Sequence, residues 1–190
     1  LSGTVASAEQ ATKMIERGRI EIVDSLTTTA ELCFHVMVAA QAAAQGDDLA
    51  ACTALAQSAG QRSGVVFAVD TLEFLHKGGR IGGAKRFLGT VLNIKPILDL
   101  KAGRIDAVEQ VRTRRKARTR LLELVQERSA GKPLKYVGVS HARAAKDAQG
   151  LLEQAQEILD VDETILVDLS PVIGTHVGPG TLSVAYMLAD

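Results

Sequence analysis

The sequence predicts an α/β protein in two parts: a first α/β domain with a parallel sheet that is incomplete here, and a second with a mixed six-stranded sheet and helices. Three observations carry this reading. Hydrophobic residues make up 46% of the 190, but aromatics only 3%, with no tryptophan. The core is therefore built from Leu, Ile, Val and Ala, a composition suited to sheets covered by helices. After residue 60 six short runs have strand character, most of them separated by helical periodicity. Before it the order is helix, strand, helix, helix.

Taken in order, Leu1 to Thr4 lead into a helical stretch to about Arg17, stopped by Gly18. Arg19–Ser25, "RIEIVDS", reads as a short buried strand. Thr28 and Glu31 have capping-box spacing ahead of an Ala-rich helix that ends at Gly46. Asp48 starts another, ending near Gly60. One strand cannot make a sheet, and the chain opens "LSGTVASAEQA" without an initiator methionine. Both features lead one to expect sequence before Leu1. The domain boundary is placed near Gly60, so that 1–60 form the C-terminal part of the first domain and 61–190 the second. The six strand candidates are "SGVVFAVD", "NIKPILDLK", "RIDAVEQV", "LKYVGVSH", "ETILVDL" and "TLSVAYML". "KAG", Lys101–Gly103, reads as a tight hairpin turn joining the second and third. Helices are expected over Thr71–Lys77, Ala84–Leu92, Arg114–Arg128 and Ala144–Leu159.

Charge is balanced, 22 basic residues against 22 acidic, so the chain as a whole does not attract nucleic acid or an anionic membrane. Cys33 and Cys52 lie in Ala-rich helical stretches outside any metal or redox spacing and read as buried reduced thiols of an intracellular protein. No apolar run reaches transmembrane length and no signal peptide is present, which leads to the expectation of a cytoplasmic location.

"HKGGRIGGAKRFLG", His76–Gly89, has the glycine spacing of a phosphate loop. However, Ala84 separates Gly83 from Lys85, and Arg86 stands where a magnesium-binding hydroxyl belongs, so nucleotide binding is rejected. Gly78 and Gly79 read instead as a helix stop. "VRTRRKARTR", Val111–Arg120, carries six basic residues: Arg112, Arg114, Arg115, Lys116, Arg118 and Arg120. Ala117, Leu121, Leu124 and Val125 keep an apolar face, so most of the charges read as a solvated helix surface. Arg112 differs by sitting at a strand end, where α/β folds place ligands. None of the four histidines has zinc-like spacing with a Cys, Asp or Glu, and no metal site is expected. His35 reads as structural, and His141 ends a strand. His176 lies in "SPVIGTHVGPGTLSVAY", Ser170–Tyr186, where Ser170 and Pro171 read as a helix cap and first position. Gly174, Gly178 and Gly180 permit a loop whose inward N–H groups bind an anion. A tight turn with a bystander histidine fits the composition equally well. Ser2, at the mouth of the first helix, suits a cap or a carboxylate contact.

"LSGT", "VDTLEFLHKGGRIGG", "LGTVLNIKPIL", "VRTRRKA" and "PVIGTHVGPGTLSVAY", in this order, resemble the DegV family over essentially the whole chain. The resemblance implies a bacterial fatty-acid-binding protein of two α/β domains with the lipid between them. It also implies a further N-terminal segment that supplies strands of the first sheet and a Thr/Ser ligand loop. It implies that Ser2 and Gly3 of "LSGT", with Thr175 and His176 of "GTHVGPG", bind the fatty-acid carboxylate. Arg112 would then serve phosphoryl transfer or partner docking. The expected partners are a long-chain fatty acid and an ATP-binding kinase subunit, with peripheral membrane contact for lipid exchange and no nucleic acid. No cofactor beyond the bound lipid is expected, and the chain itself would be a non-catalytic subunit of a fatty acid kinase. The alternative is a stand-alone phosphotransfer component acting on a small molecule, related to dihydroxyacetone kinases. A DNA-binding regulator using the basic helix is the third reading, disfavoured by the zero net charge.

Overall fold

The computed structural model describes residues 2–16, 18–89 and 94–189. Its centre is one six-stranded sheet made of β1 (Ser63–Ala68), β2 (Lys95–Lys101), β3 (Arg104–Val111), β4 (Leu134–His141), β5 (Val161–Asp168) and β6 (Leu182–Leu188). The order is β3-β2-β1-β6-β4-β5. All neighbours are antiparallel except β4 and β5. That parallel pair needs a crossover, supplied by α6 (Ala145–Ile158). The mixed six-stranded sheet is as the sequence predicts. The β2–β3 hairpin turns through Ala102 and Gly103, both at positive φ (48° and 73°), the primed-turn geometry that matches strand twist.

The two faces of the sheet are covered differently. On one, α5 (Arg114–Ser129) and α6 form a single core. Leu121, Leu122 and Val125 of α5 and Leu151 of α6 meet Val66, Val137, Val139 and Val184 of the strands. The alternate residues of the same strands point to the opposite face, where there are two cores. α2 (Thr29–Gln45) and α3 (Leu49–Arg62) bring Ala30, Phe34, Val38 and Ala59 onto Val65, Tyr136, Ala185 and Met187. Phe34 and Tyr136 stack at 5.4 Å, and the Tyr136 hydroxyl accepts from Gln41 Nε2 at 2.8 Å. Toward β3, α4 (Glu73–Lys77), a 3-10 helix (Gly82–Phe87) and α7 (Pro171–Val177) gather Leu72, Leu75, Ile81 and Val177 over Phe67, Leu98 and Ile105.

Several local signals act as expected. Asp48 caps α3 by accepting from Ala51 N–H at 2.9 Å, and Gly46 ends α2 in the left-handed region. Others do not. α1 (Thr4–Thr12) stops short of Arg17, which lies outside the described residues, as do Leu1, residues 90–92 of the expected Ala84–Leu92 helix and Asn93 of the expected second strand. Residues 19–25 are not a strand. The edges of the sheet are β3 and β5, and this segment pairs with neither, so its apolar alternation has no ladder to join. The Thr28–Glu31 capping box is also absent. Thr28 makes no side-chain cap, and the buried Glu31 carboxylate accepts instead from Thr27 Oγ1 and from Ser63 Oγ. α3 ends at Arg62, close to the expected Gly60, which faces His35. Cys33 and Cys52 are free and half-buried rather than buried.

α2 approaches β4 closely only because Gly138 has no side chain: a Cβ there would stand 2.4 Å from Ala30 Cβ. Gly138→Ala is expected to destabilise the fold by about 1–3 kcal/mol through overpacking, read as a lowered urea midpoint. An unchanged midpoint would mean that α2 is free to move away from the sheet.

Candidate functional site

Between the two cores that share one face of the sheet lies a cavity of about 850 Å³, within the size range of small-molecule sites. Its floor is the sheet itself, through Val65 and Phe67 of β1, Leu100 of β2, Ile105 of β3 and Ser183 of β6. Leu100 packs against both cores. The walls are residues 23–29, the start of α2, and α7 with the preceding Leu169. Much of this surface is aliphatic. Polar groups enter from Ser2 and Thr4 at the start of α1, from Asp24 and the hydroxyl-bearing residues of the 25–29 wall, from Arg80 and Arg104, from Ser170 at the start of α7 and His176 on it, and from Thr181 and Ser183. A largely apolar surface with polar residues along its walls suits a ligand with an apolar body and a polar end.

Three of the five residues singled out for the site line this one cavity: Ser2, Gly3 and His176. Ser2 is not the helix cap, a position held by Gly3. Its Oγ accepts from Thr4 N–H at 3.2 Å and lies 2.6 Å from Thr4 Oγ1. Thr175 is exposed, donates its hydroxyl to Pro171 O at 2.8 Å, and is not among the lining residues. Arg112 is also outside the cavity. It lies exposed between β3 and α5, with no ion pair or hydrogen bond among the described residues.

His176 sits in the last turn of α7, not in an open loop. Ser170 caps that helix through Ile173 N–H, with Pro171 in its first turn. The glycines that follow do not form an anion-binding nest. Gly178 N–H donates to Gly174 O and Gly180 N–H to Ala142 O, each at 2.8 Å, and Pro179 has no N–H. Their role is conformational and steric: both hold positive φ (81° and 84°), and a Cβ on Gly178 would strike the Phe74 ring at 2.3 Å, one on Gly180 the Arg114–Asp70 pair at 2.2 to 2.3 Å. The imidazole is thus presented by α7, locked by this turn against α4. Its Nδ1 is buried with no hydrogen-bond partner among the described residues. The α4 side is equally tight, because a Cβ on Gly78 would lie 2.3 Å from that Nδ1. Gly78 was therefore legible as a helix stop but not as the seat of His176.

Arg80 and Arg104, at the cavity, were also not singled out from sequence. Arg80 stands within "HKGGR" and donates to Gly78 O at 2.9 Å. Nothing in the local pattern of Arg104 marks it; it follows the hairpin turn directly. The basic helix α5 is largely tied up in ion pairs: Arg114 with Asp70, Arg118 with Asp147, Arg120 with Glu109, Glu123 and Glu127, and Arg128 with Asp99. These pairs bind the helix to the rest of the fold, while Arg115 and Lys116 are exposed with no ion pair among the described residues. Burial raises the Asp70 carboxyl, but hydrogen bonds from Lys95 and Arg114 outweigh that and hold it below the ordinary carboxylate value. His35 is buried between α2 and α3, with Nδ1 2.9 Å from Ala56 O. His141 Nδ1 is 3.2 Å from Asp168 Oδ1 without the alignment of a hydrogen bond. Among the described residues no group of three or more His, Cys, Asp or Glu could hold a metal. No helix among them is long and apolar enough to cross a membrane.

The family model described as "uncharacterised protein, DegV family" matches residues 1–189. A DegV domain-containing protein of Clostridium perfringens is 34% identical over 190 residues, covering 98% of this chain and 67% of its own. Among solved structures, a DegV family protein from Thermus thermophilus, described by its fatty acid binding, superposes with a TM-score of 0.87 at 36% identity, covering 98% of this chain and 67% of that one. DegV from Bacillus subtilis, described as a fatty acid binding protein, gives 0.85 at 30% identity, covering 99% and 67%. The chain spans about two thirds of the length of these relatives.

Two expectations follow from the geometry. Gly78→Ala should push the His176 ring from its seat, read as a shift of its side-chain nitrogen resonances; unshifted resonances would show that α4 yields instead. Because the Asp70 carboxyl is lowered in the folded state, its contribution to stability is present above its unfolded value, about pH 4, and is lost as pH falls through the lower folded value. Asp70→Asn should therefore flatten the acid limb of a stability-against-pH curve. A limb as steep as that of the unmodified protein would mean that other carboxylates carry it.

Proposed function

This chain belongs to the DegV family, and on that premise we propose that it binds a long-chain fatty acid and presents the carboxylate to a separate ATP-binding kinase subunit. The observation that carries the reading is the cavity between two cores, aliphatic in its walls and polar where Ser2 and His176 meet it. An acyl chain laid along those walls gains about 0.8 kcal/mol for each buried CH₂. That sum is large enough to outweigh the freedom lost on binding. Two relatives above 25% identity are described by fatty acid binding, which supports the same ligand class here.

In this proposal His176 orients the carboxylate and does not act as a base, because a carboxylate is already ionised at neutral pH. A headgroup oxygen attacks the γ-phosphorus of ATP, the bond from that phosphorus to the β,γ-bridging oxygen breaks, and ADP leaves. The product is an acyl phosphate. Positive charge around the transferred group lowers the barrier to such a step. Arg112, exposed and unpaired among the described residues, is the residue proposed for that charge or for docking the partner. The cytoplasm and transient contact with a membrane surface complete the proposal, since substrate and product are lipids.

The two residues should separate in assay. With the full chain and its kinase partner, His176→Ala is expected to weaken fatty-acid binding and abolish acyl-phosphate formation while the melting temperature is kept. Arg112→Ala should bind fatty acid normally and lose turnover. Normal turnover in the His176 variant would overturn the headgroup assignment.

A further inference from the structure

Two serines stand side by side in the middle of the sheet with nothing to bond. Ser140 of β4 and Ser183 of β6 are register partners, so both side chains project from the same face. They are 0% and 4% exposed, and neither hydroxyl has a partner among the described residues. Buried hydroxyls are nearly always bonded, and leaving one unbonded is costly. Ser183 is also part of the cavity floor. Its neighbours along β6, Leu182 and Val184, face the opposite core, which fixes Ser183 on the cavity side, opposite Phe67 of β1.

The position of Ser183 relative to the headgroup residues matters. Thr181, two residues earlier and just before β6, also lines the cavity, but its hydroxyl already donates toward Val177 O and Gly178 O at the end of the His176 helix. Ser183 is about 7 Å further along the strand, among Val65, Phe67 and Leu100. A fatty acid held by its carboxylate near His176 would therefore lay methylene groups, not its polar end, over this hydroxyl. A plain alkyl chain leaves the hydroxyl unbonded, whereas a chain with an oxygen function at that depth satisfies it.

We propose that Ser183, backed by Ser140, is a second polar site of the cavity that selects fatty acids bearing a hydroxyl or oxo group along the chain. This deepens the fatty-acid reading and rests on it. No hydrogen bond joins the two hydroxyls, so both the proton and the lone pairs of Ser183 are open to a ligand.

The test uses the full chain, stripped of lipid, and a series of octadecanoic acids: unsubstituted, monounsaturated, and monohydroxylated with the hydroxyl stepped from the carboxylate toward the tail. One hydroxylated isomer should bind the unmodified protein about three- to tenfold more tightly than it binds Ser183→Ala, the range expected of one net hydrogen bond. The unsubstituted acid should bind the variant as well or better. Ser183→Gly, which also removes the hydroxyl, should show the same loss for the same isomer. Equal selectivity in all three proteins overturns the inference, as does a Ser183-dependent gain confined to the unsaturated acid. If no acid in the series binds, the fatty-acid reading itself fails, and binding of the unsubstituted acid separates that outcome from the others.

Discussion

The site depends on one packing constraint: the second face of the sheet is covered by two cores instead of one. α5 and α6 close the first face with a continuous cluster. On the other, α2 and α3 settle over β4, β5, β6 and the start of β1, while α4, the 3-10 helix and α7 settle over the rest of β1, β2 and β3. Leu100 touches both clusters, and the space beside it is the cavity. A native interior leaves few voids, because an unfilled one forfeits dispersion contacts and transfer energy. The cavity is instead a cleft open to solvent on one side, whose largely apolar lining offers contacts that the two clusters leave unused.

The second requirement is that a polar group meet that gap at a fixed place. α7 is only seven residues long, and its position depends on contacts with α4. Those contacts are made by missing atoms: Gly78 admits the imidazole of His176, Gly178 admits the ring of Phe74, and Gly180 admits the Arg114–Asp70 pair. Gly178 and Gly180 serve the turn as well as the close approach, since both hold positive φ (81° and 84°), whereas Gly78 serves close approach alone. The same contacts link the histidine to the start of α5, since Arg114 reaches Asp70, Asp147 and Gly180 O. The segment in which Arg112 lies is in this way joined, through Arg114, to the turn that follows His176.

Most of the scaffold was legible because its signals are local. β-Branched runs marked the strands, Ala102 and Gly103 marked the hairpin, and Asp48, Gly46 and Ser170 marked helix ends. The failures share one cause. Residues 19–25 alternate like a strand, but strand formation requires an available edge, which is a property of the assembled sheet. The glycines after His176 looked free to bind an anion, yet the N–H of Gly180 goes to Ala142 O at the end of β4, a partner no local pattern reveals. The neighbourhood of Gly78 and His176, and that of Ser140 and Ser183, are likewise products of tertiary pairing. The gathering of Ser2, Gly3 and His176 at one cavity came from the family resemblance, because spacing alone does not bring the two ends of the chain together.

The most direct measurement is native mass spectrometry of the full chain as purified, followed by organic extraction and lipid analysis. The account predicts one fatty acid per chain, released on denaturation and giving the empty protein's mass afterwards. A chain that carries no lipid, and takes none up when offered, would contradict the claim that the gap between the two cores is an acyl site.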